Sequence, residues 1–173
     1  FVLNKLFRPT RADAMRSNSR WVLRRIKRSR YGDRLEAALL RFVRALDESD
    51  ANTAFLRLWG AVESLTTSGQ ADYDQLVKRC SFLFKETEFH RQLLEHLREY
   101  RNQSVHSGEE SDAARTNCYQ LQMYFVELIW FHLRNASVFS TVEEANGFLD
   151  LPIDKALLQT RLRMTKKAIG FVS

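Results

Sequence analysis

Leu35, Leu39, Phe42, Val43 and Leu46 recur at three- and four-residue intervals, the spacing that lines up side chains on one stripe of a helix. The pattern predicts a helix from about Arg34 to the polar "DESDAN" stretch. It returns in "TAFLRLWGAVESL", where Phe55, Trp59 and Val62, with Leu58 and Leu65 beside them, define a second apolar face. Gly60 within that face reads as a point of close helix approach. "TSGQAD" is a turn by composition; beyond it Leu76, Val77, Cys80, Leu83 and Phe84 make a third face, and Phe89, Leu93, Leu94, Leu97 and Tyr100 a fourth. "REYRNQSVHSG", residues 98–108, interrupts the periodicity. Ser107 then stands three residues before Glu110, the spacing of a reciprocal capping box. It predicts a long central helix from about Glu109 to Arg134, apolar nearly all round in its second half. Thr141 and Glu144 repeat that spacing for a short helix ending near Phe148. Pro152 and Asp154 open a last one, "DKALLQTRLRMTKKA", whose basic C-terminal end suits the helix macrodipole. At the front of the chain, "RWVLRRIKRSRYG" reads as a short helix capped by Gly32.

No sustained alternation of apolar and polar residues accompanies these stripes, and six glycines and two prolines are few for a many-stranded fold. The expected fold is therefore all-α. A chain of 173 residues that is 45% hydrophobic and 28% charged suits one domain with a sizeable core. The organisation predicted is a basic arm or linker helix over residues 1–33, a helical core over 34–140 and a C-terminal helical extension over 141–173. "LQMYFVELIWFHL" carries Gln122, Glu127 and His132 and is too short to cross a bilayer, so it reads as a buried helix, and no membrane association is expected. His132 within it reads as a hydrogen-bonded core residue, His90 and His96 as solvent-facing. Cys80 and Cys118 lie among apolar residues without metal-finger spacing, which predicts reduced core thiols and a cytoplasmic protein. The opening "FVLNKLFRPT", without an initiator methionine or the order of a secretory signal, suggests a piece of a longer protein with an upstream sensor or antitoxin-binding part.

Charge is concentrated at the N-terminus. Residues 1–34 hold 11 Lys and Arg against 2 acidic residues, whereas residues 35–173 hold 16 against 19. Arg24, Arg25 and Arg28, set around Trp21, Leu23 and Ile26, are candidates for contacts to nucleic-acid phosphates, contacts whose strength falls steeply with salt. A solvated linker helix is the competing reading.

The remaining chemistry lies in the interrupted stretch. Attack of an RNA 2′-hydroxyl on the adjacent phosphate calls for an acid or base titrating near neutrality, which histidine supplies, and for a fixed donor fork facing the phosphorane, which arginine supplies better than lysine. His106 and Arg101 offer that pair, and no metal is required. Asn102 and His106, four apart, share one face of a helix, but Arg101 and His106, five apart, diverge by about 140° on a continuous one. Either the helix bends or ends near Ser107 and Gly108, or a second subunit completes the group.

Arg101-Asn102, three further residues and His106 resemble the Arg, polar residue, spacer, His signature of the HEPN superfamily, small all-α domains that include metal-independent ribonucleases. "FLRLWGAVESL" is similar to the early helix of that family, and "YRNQSVHSG" looks like the motif of its Apea-like, defence-associated branch. The resemblance spans roughly residues 34–140. It implies a HEPN-like bundle with a long central helix and extra N- and C-terminal helices. It also implies a catalytic pair of Arg101 and His106, with Asn102 orienting it and Glu63 a supporting acid on the same site. The resemblance also implies no cofactor or metal and a homodimer with a composite site; Arg98 and Ser104 are further candidates for RNA contact, and a surface ion-pair lattice with Glu95 and Glu99 is the competing reading of Arg98 and Arg101. The activity implied is endoribonuclease cleavage by the effector domain of a larger defence or toxin protein. A HEPN-like module that dimerises or binds partners and nucleotides without cutting is the alternative. In superfamily toxins silenced by adenylylation a tyrosine follows two positions after the histidine; here that position is Gly108, so such control is not implied.

Overall fold

Each apolar stripe becomes a helix whose ends are set by local side-chain chemistry. The computed structural model describes residues 10–67, 72–107 and 113–172, the last three of the middle segment by backbone alone. Eight α-helices lie in these residues: α1 (Ala12–Arg28), α2 (Gly32–Leu46), α3 (Ala51–Thr66), α4 (Tyr73–Ser81), α5 (Thr87–Ser107), α6 (Ala113–Arg134), α7 (Val142–Leu149) and α8 (Lys155–Val172). The fold is all-α, with no strand among the described residues. Asp50 and Asp72 start α3 and α4 by accepting from the N–H groups of Thr53 (2.7 Å) and Gln75 (3.0 Å). Thr141 does the same for Glu144 (3.1 Å), and the Glu144 carboxylate reaches back to the N–H of Ser140 (2.6 Å), a capping box displaced by one residue. The expected "TSGQAD" turn and the Ser107–Glu110 box fall mostly on residues 68–71 and 108–112, outside the described residues.

Helix α3 lies at the centre, packed most extensively on α2 and α6 and also on α4 and α5. Phe55, Leu58, Trp59, Ala61, Val62 and Leu65 are all buried, and they meet Leu121, Tyr124, Phe125 and Leu128 of α6. The long helix expected to be apolar nearly all round in its second half, and hence central, is not enclosed on every side. Tyr119, Met123 and Val126 keep one side of α6 in solvent, so the central role is shared with α3. On α2, Val43 and Leu46 likewise turn outward while Ala38 and Ala45 take the inner face beside Leu35. Leu83 and Phe84, read as part of the third stripe, lie past the end of α4 and pack half-buried on the core from the following turn.

The two glycines read from sequence exchange roles. Gly32 does not cap α1, which ends at Ser29, whose N–H bonds the carbonyls of Arg25 and Ile26. It opens α2 instead, buried so close to α1 that a Cβ would collide with the Ile26 carbonyl oxygen. At Gly60 a Cβ would meet nothing within 4 Å, so this glycine brings no helices together and faces an open groove.

The C-terminal extension divides in two. Val142, Ala145 and Leu149 of α7 are buried in the core. The nearly buried Arg79 grips Asp150 bidentately (3.0 and 2.7 Å) and also donates to the Thr66 carbonyl, joining the ends of α3, α4 and α7. Helix α8 buries no residue. His132 is fully buried with Nδ1 3.1 Å from the Tyr31 hydroxyl, as the reading of a hydrogen-bonded core histidine requires. His96 is exposed as its sequence context suggests, but His90 is not solvent-facing. It stacks on Phe84 and contacts the Tyr124 hydroxyl at 2.9 Å.

Candidate functional site

The stretch that breaks the apolar periodicity does not break the helix. Helix α5 is helical through Ser107, the last described residue before position 108, so Arg101, Asn102 and the backbone of His106 share one uninterrupted helix. On that geometry the 101 and 106 positions point about 140° apart. The side chains of residues 105–107, His106 among them, lie outside the described residues.

Arg101 is held from two sides. Its guanidinium lies 4.9 Å from the centroid of the Tyr73 ring, a cation–π contact, and Nη1 donates to Asn102 Oδ1 at 3.3 Å. Tyr73 in turn sets its ring edge-on against the buried Trp59. One residue earlier, Tyr100 packs edge-on against Phe55 and donates to Asn52 Oδ1 at 2.6 Å, so this turn of α5 is bolted to the start of α3. No carboxylate pairs with Arg101 among the described residues. Arg98, one turn back, is bound to both Asp74 and Glu95. An ion-pair lattice thus forms at Arg98, with both terminal nitrogens on carboxylates, and does not extend to Arg101 among the described residues. Ser104 donates its hydroxyl to the Tyr100 carbonyl at 2.8 Å, which ties it to its own helix.

Glu63 sits elsewhere. Trp59 meets Tyr73 and Thr66 meets Arg79, so α3 and α4 run parallel. Tyr73 and Asp74 at the start of α4 meet Arg101 and Arg98 near the end of α5, so α5 runs antiparallel to both. The turn of α5 carrying Arg101 therefore lies beside Asn52 and Phe55, and Glu63 is ~12–16 Å further along α3 in the direction away from His106. Within one chain Glu63 does not join Arg101. It lines a groove of about 340 Å³ between α2 and α3, with Arg34, Arg41, Gly60 and Ser64.

The basic arm occupies a third position. Helix α1 lies on α2 and α6, and Arg16, Arg20 and Arg24, spaced four apart, line one exposed face with Asp13; Arg28 continues that spacing. Trp21 packs at a tilt against Trp130, ring centroids 4.9 Å apart, with Arg25 over the Trp21 ring and Arg134 over the Trp130 ring, each at 5.3 Å. Trp21 is thus committed to the body of the protein and is not a free stacking platform, whereas Arg24 and Arg28 stay exposed.

Burial pushes the Cys80 thiol up to about 12 and, with Asp50 nearby, Cys118 to about 11. Both are free and stay protonated at neutral pH, which removes them as nucleophiles. Among the described residues no three His, Cys, Asp or Glu side chains gather to hold a metal ion, and no helix is long and apolar enough to cross a membrane.

No family model, curated protein or solved structure matches this chain. Any function must therefore be argued from the groups just described. Sequence reasoning missed two features. The Tyr73 platform under Arg101 is created by tertiary packing and has no local signal. Arg34 and Arg41, seven apart on one face of α2, carried a spacing signal that the apolar stripe obscured.

Proposed function

We propose that this chain is a metal-independent endoribonuclease of the HEPN type, the effector domain of a larger defence or toxin protein, acting in the cytoplasm as a homodimer. Its sequence motif supplies the reading, and one structural observation supports it. Arg101 is fixed over Tyr73 and against Asn102 with no carboxylate on its fork among the described residues, while its neighbour Arg98 is neutralised twice. A guanidinium held in place without an anion is suited to take a phosphate.

In the reaction proposed, His106 removes the proton from an RNA 2′-hydroxyl, whose oxygen forms a bond to the adjacent phosphorus. Arg101 donates to the non-bridging oxygens as charge builds on the phosphorane. The bond from phosphorus to the 5′-oxygen breaks, and a protonated imidazole returns a proton to that leaving oxygen. The products are a 2′,3′-cyclic phosphate and a free 5′-hydroxyl. Because Arg101 and His106 diverge on one helix, the Arg of one subunit and the His of another would serve one phosphate.

Incubation with mixed tRNA and single-stranded RNA in EDTA tests the reading. Cleavage leaving 2′,3′-cyclic ends, lost in His106→Ala and Arg101→Ala with dimerisation intact, is the expected result. Silence of the wild-type dimer toward every RNA offered would favour the non-cutting module, since fold alone does not fix activity.

A further inference from the structure

The α2–α3 groove is not explained by cleavage at Arg101 and His106. Its two walls are antiparallel helices joined by a short connection, and it opens between residues 34–41 of α2 and the last turns of α3. Arg34 and Arg41, seven residues apart, project from the same face of α2 about 10 Å apart along its axis. Glu63 and Ser64 face them from α3, and the open side of Gly60 leaves the floor between them empty of side chain.

The charges in this groove are left in an unusual state. Glu63 is half-buried, yet its carboxylate has neither an ion pair nor a hydrogen bond among the described residues, and Arg41 in the same groove is likewise unpaired. Arg34 is engaged with Glu143 at 2.9 Å, in a pair half exposed on both sides, a contact of low worth that a phosphate can displace. A half-buried carboxylate without a partner among the described residues, sharing a groove with two arginines that do not pair with it, is complementary to a ligand that offers two adjacent N–H donors to the carboxylate and anionic groups to the arginines.

Among the nucleobases guanine alone presents two adjacent donors, N1–H and the N2 amino group, on its pairing edge. Adenine and cytosine set a donor beside an acceptor, and an acceptor facing a carboxylate oxygen is repelled. Uracil offers one donor between two carbonyls. The flanking phosphates then fall to Arg34 and Arg41. We propose that the α2–α3 groove is a guanine-reading subsite for single-stranded RNA, with Glu63 on the base edge and the two arginines on the backbone. Glu63 thereby supports recognition at a distance from the cut and takes no part in the chemistry. The polymer named rests on the ribonuclease reading; the base preference does not.

The test is therefore a binding measurement that no cleavage can confound. Fluorescence anisotropy with the His106→Ala protein would compare a labelled octauridylate with the same oligomer carrying one central guanosine, alongside titrations with free GMP and AMP. About tenfold tighter binding of the guanosine oligomer, and of GMP over AMP, is expected from one bidentate base contact. Glu63→Gln, which replaces one acceptor by a donor, should erase the preference while sparing octauridylate. Gly60→Leu, filling the floor from a position with no core neighbours, should erase it too, with an unchanged melting temperature showing that the fold survives. Arg34→Ala and Arg41→Ala should weaken both oligomers alike. Equal binding of the two oligomers, or a preference that persists in Glu63→Gln and Gly60→Leu, overturns the assignment. A clear guanine preference in a protein that never cuts RNA would sink the ribonuclease reading alone.

Discussion

His132 makes the stability of this protein sensitive to acid in a window set by one side chain. It is fully buried, and burial lowers its pKa from 6.5 to about 4, so the folded protein holds it neutral while an unfolded chain takes up a proton below 6.5. A group depressed in this way contributes stability that is complete above its unfolded value and is lost as pH falls toward its folded one. Each unit between the two limits costs about 1.4 kcal/mol, so lowering the pH from 7 to 5 should remove about 2 kcal/mol. Urea denaturation at intervals across that range reads this as a falling midpoint at constant slope. The control replaces the histidine and its hydroxyl partner together, His132→Phe with Tyr31→Phe, so that no polar atom is left unmatched at the 3.1 Å contact. That variant should lose most of the dependence between pH 7 and 5. A wild-type midpoint that is flat over this window, or a double variant with the same slope, would refute the argument and mean that water or a local opening reaches the imidazole.

Other perturbations follow from single contacts. Asp150→Ala leaves the guanidinium of the nearly buried Arg79 with only the Thr66 carbonyl, and should cost about 3 kcal/mol in urea denaturation; Arg79→Met, which removes the charge instead, should cost less. Gly32→Ala forces a methyl against the Ile26 carbonyl oxygen, and should destabilise by ~1–3 kcal/mol, read as a lower melting temperature. If the proposed reaction is right, Arg101→Ala lowers the cleavage rate by ~10²–10³. In the same assay Arg98→Ala, which breaks the pairs to Asp74 and Glu95, changes it little.

The helices that carry a two-sided pattern of apolar and polar residues are legible in the order of residues alone, because burial of one face dictates the spacing. The rest is set by what lies opposite in space. The end of α5 reads as an interruption since "RNQSVHS" offers no apolar spacing, yet nothing in it breaks a helix before Gly108, and helical backbone persists where only packing signals fade. The N-terminal helix begins at Ala12, well before the apolar cluster at Trp21 that marks it, with the Asp13–Arg16 pair in its first turns. A glycine in a sequence says that a Cβ is missing, not why: Gly32 lacks one to let α1 and α2 touch, and Gly60 borders a groove. His90 reads as exposed because both of its partners, Phe84 and Tyr124, come from other elements. At the candidate site the Arg101–Asn102 pair is readable from spacing, but the separation of Glu63 from it is not. That separation follows from α5 running antiparallel to α3, a relation invisible along the chain.

The continuity of α5 turns the composite-site proposal into a test with a numerical outcome. Tyr100 clamps this turn to Asn52 and Phe55 and Arg101 is held over Tyr73, about 140° around the helix from the 106 position of its own chain. If one phosphate is served by Arg101 of one subunit and His106 of the other, a dimer of Arg101→Ala with His106→Ala contains one site with neither group and one with both. Each variant alone has no complete site. After mixing and re-equilibration about half the dimers are hybrids, each with one of two sites restored, so activity should return to about a quarter of wild type. If instead each chain's own Arg and His act together, every site in the hybrid lacks one member and mixing restores nothing. The comparison needs equal amounts of the two inactive variants and proof of subunit exchange, for example by differently tagged chains that copurify. Exchange without recovery would exclude the shared site and require α5 to unwind near its end before the chain could act.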